Sequence, residues 1–298
     1  MIDKQYDVLY IGNYTKDTIL SPTGTRYVDG GAVNYAAHAA VRLGLRVAVV
    51  THLAKEDSRV VDKFMESGID CYATFTPFST LMRLEYPTTN PDIRNLSVEH
   101  TAGTITRDEV THLNAKSAVI GSSLRGEVGL DVIQACKAKG MLVAADMQGY
   151  VRVLENDQLL YRPWDEMQEV LSYLDFLKSD MVEAEFLTGE TDVLRAAQYY
   201  ANMGPREIVL THKDGVLILA DGKPYEYTFH PTQLIGRSGR GDTCLGSYVA
   251  MRSSKDPQEA GKWAAAVTSL KMEKVGPFDR TMDEVEALIK SRYNHGSV

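Results

Sequence analysis

The residues best placed to do chemistry lie in Gly236-Arg-Ser-Gly-Arg-Gly-Asp242, just before the helical pattern Thr243-Cys-Leu-Gly-Ser-Tyr-Val-Ala250. Glycines at 236, 239 and 241 permit a tight turn with positive φ. The first N–H groups of a helix are unpaired and carry the positive end of its dipole, so Gly239, Arg240 and Gly241 can present amides to phosphate oxygens. Asp242 would then sit beside phosphate, where a carboxylate is unfavourable unless the chemistry needs it. The competing reading is a glycine turn with Asp242 as an ordinary helix cap. The choice depends on whether the rest of the chain supplies a donor site and an acceptor site.

Three other places bear on that. Asp17 follows the first strand, and Gly30-Gly31 with Asn34 stands at a loop-to-helix junction. A carboxylate that accepts two hydroxyls, an amide that donates and accepts, and glycines that let backbone approach together suit a polyol. Taken singly, Asp17 is a turn residue and Asn34 a helix cap. Lys178-Ser-Asp180-Met-Val-Glu183 ends a strand and opens a helix. Carboxylates three apart there suit Mg²⁺ held through its retained waters, and equally suit a capping box that needs no metal. Thr211-His-Lys-Asp-Gly215 joins two strands, where a hydroxyl and a glycine can border a nucleotide, although Asp-Gly is also a hairpin signal.

The elements around these stretches alternate. Tyr6 to Gly12 reads as a buried strand, followed by a loop through Asp17; Asn34 to Gly44 reads as a helix with an alanine face. Arg46 to Thr51 is a strand and Glu56 to Ser67 a helix. Strands at Ser117 to Ile120, Met141 to Asp146 and Leu174 to Lys178 alternate with helices at Glu127 to Lys139, Trp164 to Leu171, Val182 to Thr188 and Asp192 to Met203. Three strands then run from Glu207 to Thr211, Val216 to Ala220 and Tyr225 to His230. Helices at Ala260 to Lys274 and Asp283 to Tyr293 close the chain. This order predicts an α/β fold, a doubly wound, mostly parallel sheet with ligands outside the carboxyl ends of its strands. Residues of about 17–29 and 74–100 have a looser alternation, with a turn at Pro87-Thr-Thr-Asn-Pro91, and predict a small sheet built from two insertions. No linker divides residues 1–298, so one domain is expected.

The net charge of -8 leaves no basic excess for a nucleic acid or an anionic membrane surface. No apolar run approaches the ~18 residues of a membrane span. Cys71, Cys136 and Cys244 lack metal-ligand spacing and read as reduced thiols. A cytoplasmic protein is expected.

In order along the chain, Gly12 to Asp17, Gly30-Gly-Ala-Val-Asn-Tyr-Ala-Ala37 with Leu43-Gly44, Asp57, Asp180-Met-Val-Glu183 with Leu187-Thr-Gly189, Thr211 with Gly215, and Gly239-Arg-Gly-Asp242 resemble the ribokinase-like (PfkB) carbohydrate kinases. The resemblance runs over nearly the whole chain. It implies a ribokinase-like fold with a β-sheet lid, and transfer of the γ-phosphoryl group of ATP, with Mg²⁺, to a sugar or polyol hydroxyl. It implies Asp242 as general base, with Gly239, Arg240 and Gly241 as the anion hole. Asp17, Gly31 and either Asn34 or Tyr35 would hold the acceptor. Asp180 would organise phosphates and Glu183 the metal, Thr211 and Gly215 would border ATP, and Val267 and Leu270 would flank the adenine. The lid sheet would be able to pair two subunits.

Arg240 stands where such kinases have a small residue, and Gly236-Arg237 where they commonly have Asp-Thr. Nucleoside and inositol acceptors, or a non-catalytic sugar or nucleotide sensor, fit the same pattern. A dinucleotide-dependent oxidoreductase does not, because Gly12-Asn13-Tyr14 lacks the Gly-x-Gly-x-x-Gly turn after the first strand.

Overall fold

A computed structural model describes residues 4–88 and 95–293. In chain order the strands are β1 (Gln5–Ile11), β2 (Thr15–Ser21), β3 (Gly24–Gly30), β4 (Val47–Ala54), β5 (Ile69–Thr76), β6 (Thr80–Glu85), β7 (Asn95–His100), β8 (Asn114–Ile120), β9 (Leu142–Asp146), β10 (Arg152–Glu155), β11 (Gln158–Tyr161), β12 (Phe176–Asp180), β13 (Glu207–Thr211), β14 (Gly215–Ala220) and β15 (Lys223–Thr228). The helices are α1 (Ala32–Arg42), α2 (Arg59–Glu66), α3 (Leu130–Ala138), α4 (Gln148–Val151), α5 (Met167–Leu171), α6 (Met181–Thr188), α7 (Val193–Ala201), α8 (Arg240–Arg252), α9 (Pro257–Met272) and α10 (Met282–Arg292).

Nine strands form the main sheet, in the order β15-β14-β13-β12-β9-β8-β1-β4-β5. Pairing is parallel from β13 through β5, and only the β13–β14 and β14–β15 pairs are antiparallel, so β14 alone runs against the rest. Mostly apolar runs explain this arrangement: Val47–Ala54, with only Thr51 and His52 polar, is buried at every position, as a strand covered on both faces must be. Two apolar layers result. One holds α1, α8 and α9, and the other α3 and α7.

The alanine face of α1 lets α8 approach closely. A β-carbon on Gly246 of α8 would stand 2.7 Å from Ala36, and the Tyr10 hydroxyl of β1 donates to the Gly246 carbonyl at 3.1 Å. The start of α8 is thereby fixed over the carboxyl ends of the central strands.

The second sheet has six strands, in the order β10-β11-β7-β6-β2-β3, over a small apolar cluster containing Ile19, Met82, Leu84, Val98 and Leu159. Its sequence outline was incomplete in four respects. Asp17 lies within β2, not in a loop. Residues 74–76 end β5, which pairs with β4 in the main sheet along its whole length. The four-residue strands β10 and β11 add a third insertion, each too brief to show a period. The α1 helix begins at Ala32 with Gly31 as its cap, at φ 93°, so Asn34 sits inside the first turn and not at the cap. Residues 89–91 of the expected Pro87–Pro91 turn lie outside the described residues.

Candidate active site

Gly239 caps α8 with φ 75°. A β-carbon there would collide with the Tyr35 ring, and one on Gly241 would stand 2.6 Å from the Lys178 ammonium. Gly239 is therefore required by its backbone conformation and by the Tyr35 ring, whereas Gly241, without a positive φ, makes room for the end of the Lys178 side chain. The Arg240 amide is used within the turn, donating to the Arg237 carbonyl at 3.1 Å. Among the described residues the amides of Gly239 and Gly241 have no backbone acceptor, so of the three amides expected to meet an anion these two remain available. Asp242 follows in the first turn and accepts from Gln148 Nε2 at 3.2 Å. Burial and the nearby Asp146 push its carboxyl up to about 6, against the opposing charges of Lys178, Arg152 and Lys271. A carboxylate so placed is a proton acceptor poised near neutrality.

Asp17 approaches the same point from the lid. It is buried, and its Oδ1 has no partner among the described residues. Burial raises it to about 6, and the charge of Asp242 adds to the shift. The Tyr35 hydroxyl is likewise buried without a partner, and it lies in the fields of both Asp17 and Asp242. Buried polar atoms are ordinarily satisfied, so two orphans facing one acid mark a place for hydroxyl groups. Gly31 is held by its φ of 93° and by the backbone before β2, since a β-carbon there would stand 2.7 Å from the Asn13 carbonyl. The side chain of Asn34 turns elsewhere, donating to the Asp29 carbonyl at 2.9 Å. Of the two alternatives left open by the sequence, Tyr35 is the one whose hydroxyl lies near Asp17 and Asp242.

Beyond Asp242 lies a small cavity of about 110 Å³ lined by Gln148, Arg152, Lys178, Asp180, Thr211, Arg237 and residues 239–242. It opens beside a larger cavity of about 750 Å³ that shares Asp180, Thr211, Arg237 and Arg240 and is otherwise walled by β11, the end of β6, the start of β7, the first residues of α6, His212 and Lys213. Lys178 pairs with Asp146 at 3.0 Å. Burial opposes its charge, but Asp146, Glu183, Asp180 and Asp242 outweigh burial and hold its pKa above the usual value. Arg152 lies 3.4 Å from Glu183. Four cationic side chains on one small wall form a site for a polyanion.

Asp180 and Glu183 make the capping box of α6: Asp180 accepts from the Glu183 amide at 2.9 Å, and Glu183 accepts from the Asp180 amide at 3.1 Å. Glu183 is fully buried behind the cavity wall among Arg152 and Lys178, and burial raises it to about 7. Asp180 alone of this pair reaches the cavity. No cluster of three metal-ligating side chains exists among the described residues. Mg²⁺ needs none where phosphates and retained waters fill most of its shell, so Asp180 and the donor phosphates fit such an ion.

Three other expected residues lie apart. Gly215 opens β14 against Tyr227, where a β-carbon would strike the Tyr227 carbonyl, and it does not line the cavities beside the Gly239 turn. Val267 is fully buried in the core and Leu270 packs against the same cluster; neither lines the two cavities beside Asp242. Sequence reasoning also passed over Gln148, Lys178 and Lys271 as site residues. For Lys178 the signal was available, a lysine directly after the apolar pair Phe176-Leu177 and directly before Ser179-Asp180.

No helix among the described residues is long and apolar enough to cross a membrane. The model of the pfkB family carbohydrate kinases matches residues 4–281. Among solved structures, the sulfate complex of a pyrophosphate-dependent kinase in the ribokinase family is 33% identical, with TM-score 0.87 over 94% of this chain and 99% of that one. A pyrophosphate-dependent kinase of the same family, complexed with a pyrophosphate analog and myo-inositol, is 31% identical, with the same TM-score and coverage. The cytidine kinase of Thermococcus kodakarensis is 25% identical over 262 residues, 85% of this chain and 91% of the relative. A kinase site for a sugar or polyol, on a ribokinase fold matched along almost its whole length, places this chain in the pfkB family of carbohydrate kinases.

Proposed function

We propose that the enzyme transfers a phosphoryl group from inorganic pyrophosphate to one hydroxyl of a cyclic polyol of the inositol type. The observation that carries the donor is the small cavity walled by Arg152, Lys178, Arg237 and Arg240 beside the Gly239 and Gly241 amides. Its four cationic side chains outnumber the carboxylates of Asp180 and Asp242, which suits a compact polyanion, and it requires no base-binding surface. The pyrophosphate-dependent relatives at 31 and 33% identity support the reading.

In this scheme the acceptor lies between Asp17, Gly31 and Tyr35, with one hydroxyl on Asp242. Asp242 takes the proton as that oxygen bonds to the terminal phosphorus. The bridging P–O bond breaks, and its electron pair leaves with the departing phosphate. The Gly239 and Gly241 amides and the cationic wall hold the charge on the moving group, the main task of the protein in phosphoryl transfer. Bound Mg²⁺ would neutralise donor oxygens beside Asp180. Glu183 holds Arg152 and Lys178 in place, and Thr211 borders the donor. Residues 1–298 act as one unit with the lid over the acceptor, and the lid edge offers a pairing surface for a homodimer. The three free thiols suit a reducing cytoplasm.

A second reading keeps ATP as donor, and the larger adjoining cavity favours it, since about 750 Å³ would accept a nucleoside. A nucleoside acceptor is favoured by the cavity of about 320 Å³ walled by Ile19, Val28, Tyr86 and Leu234 and by the cytidine kinase relative. Product formation followed by ³¹P NMR, with pyrophosphate or ATP against myo-inositol, ribose and cytidine, tests these together. Turnover with pyrophosphate and myo-inositol is expected. Turnover with ATP alone would overturn the donor, and a product only from cytidine would overturn the acceptor. No turnover with any pair would leave a non-catalytic sensor.

A further inference from the structure

The scheme above leaves one buried cation without a task. Lys271, in the last turn of α9, is 2% exposed. Its ammonium donates to the Gly236 carbonyl at 2.9 Å and to the Ser238 carbonyl, and it stands 5.0 Å from the centre of the Tyr35 ring. The same loop is tied to α9 by backbone, because the Ile235 and Gly236 amides both donate to the Met272 carbonyl at 2.9 Å. These bonds fix the segment that runs directly into Gly239, whose conformation sets the two anion-hole amides.

Burying an ammonium is costly unless its charge is used. Burial pushes Lys271 down to about 8, and Asp242 is the charge that opposes the shift. A neutral donor or a water would satisfy two carbonyls at a lower cost. Carbonyl oxygens converging on one point are also the coordination that an unhydrated monovalent cation takes. The Tyr35 face adds a further attraction for a cation.

We propose that Lys271 is a positioning residue for phosphoryl transfer: its ammonium grips the Gly236 and Ser238 carbonyls as a bound monovalent cation would, and so aims the Gly239 and Gly241 amides at the moving phosphoryl group. The inference rests on the reading of Gly239–Asp242 as the reacting centre. A displaced loop costs transition-state contacts more than ground-state binding, because a misplacement of about 1 Å is worth roughly 10²-fold in rate.

The test compares Lys271→Met, Lys271→Arg and Asp242→Asn with the parent enzyme, with and without added ammonium or methylammonium chloride. For Lys271→Met the expected results are a kcat about 10²-fold lower, little change in acceptor KM, and partial recovery that saturates with ammonium concentration. Lys271→Arg should retain more activity than the Met variant. A folded Met variant with parental kcat overturns the proposal. So does lost activity that no small cation restores. If Lys271→Met does not fold, Lys271→Gln is measured by the same criteria; failure of both to fold in ammonium also overturns the proposal, since the lysine would then serve stability alone. Asp242→Asn separates the two levels. If it retains turnover, the reacting centre is misassigned; if it is inactive while Lys271→Met is normal, only the present inference fails.

Discussion

Replacing Asp242 by Asn keeps the shape of the side chain and the contact with Gln148, and removes only the ability to take a proton. General-base catalysis contributes about 10²–10⁴ in rate, or roughly 3–5 kcal/mol at about 1.4 kcal/mol per factor of ten. The cavity beyond Asp242 retains Arg152, Lys178, Arg237 and Arg240, so the donor should still bind, and kcat should fall by about 10²–10⁴ with little change in donor affinity. The sign of the stability change runs the other way. An acid raised to about 6 from its ordinary value is disfavoured as a carboxylate in the folded state. That penalty is absent below the unfolded pKa, grows as pH rises through the folded one, and is complete above it. The Asn variant should therefore melt at the same temperature as the parent or higher at pH 8, and lose that advantage near pH 4. In the parent, kcat/KM should fall about tenfold per pH unit below about 6 as Asp242 takes up a proton. Steady-state kinetics, donor titration calorimetry and thermal melts over this range check all three. Near-normal turnover in the folded Asn variant would refute the assignment of the base, and a lower Tm at pH 8 would refute the account of its burial.

Gly239→Ala should lose about 10²-fold in kcat, because the new methyl group has to displace the Tyr35 ring at a backbone conformation of φ 75°; kinetics on the folded variant would show the loss. Tyr35→Phe should raise acceptor KM by about 2–10-fold, the worth of one neutral hydrogen bond, and leave donor KM unchanged. If Tyr35→Phe matches the parent in acceptor KM, the hydroxyl does not touch the acceptor.

Much of this was legible because it is local. The buried strand runs, the alanine face of α1 and the glycines before α8 each express a requirement carried by a few adjacent residues, and they gave the parallel sheet, the close helix pair and the position of Asp242. The lid was only half legible. Its strands bury one face thinly, so β2 reads as a loop around Asp17, and β10 and β11 are too short to show a period. Glu183 illustrates a further limit: Asp180 followed by Glu183 reads both as metal ligands and as a capping box, and only the packing of Arg152 and Lys178 against Glu183 puts that carboxylate behind the wall.

Fold class and the place of Asp242 at the start of α8 could be read from the chain alone, since hydrophobic period, turn glycines and helix termini depend on neighbours in the chain. Only the tertiary structure decided which charges meet. Lys178 with Asp146, Arg152 with Glu183, and Lys271 under the loop at Gly236 join residues 31 or more apart. Whether a buried charge binds phosphate, supports a neighbour or holds a loop is set by the groups that desolvate and oppose it, and those lie on other elements.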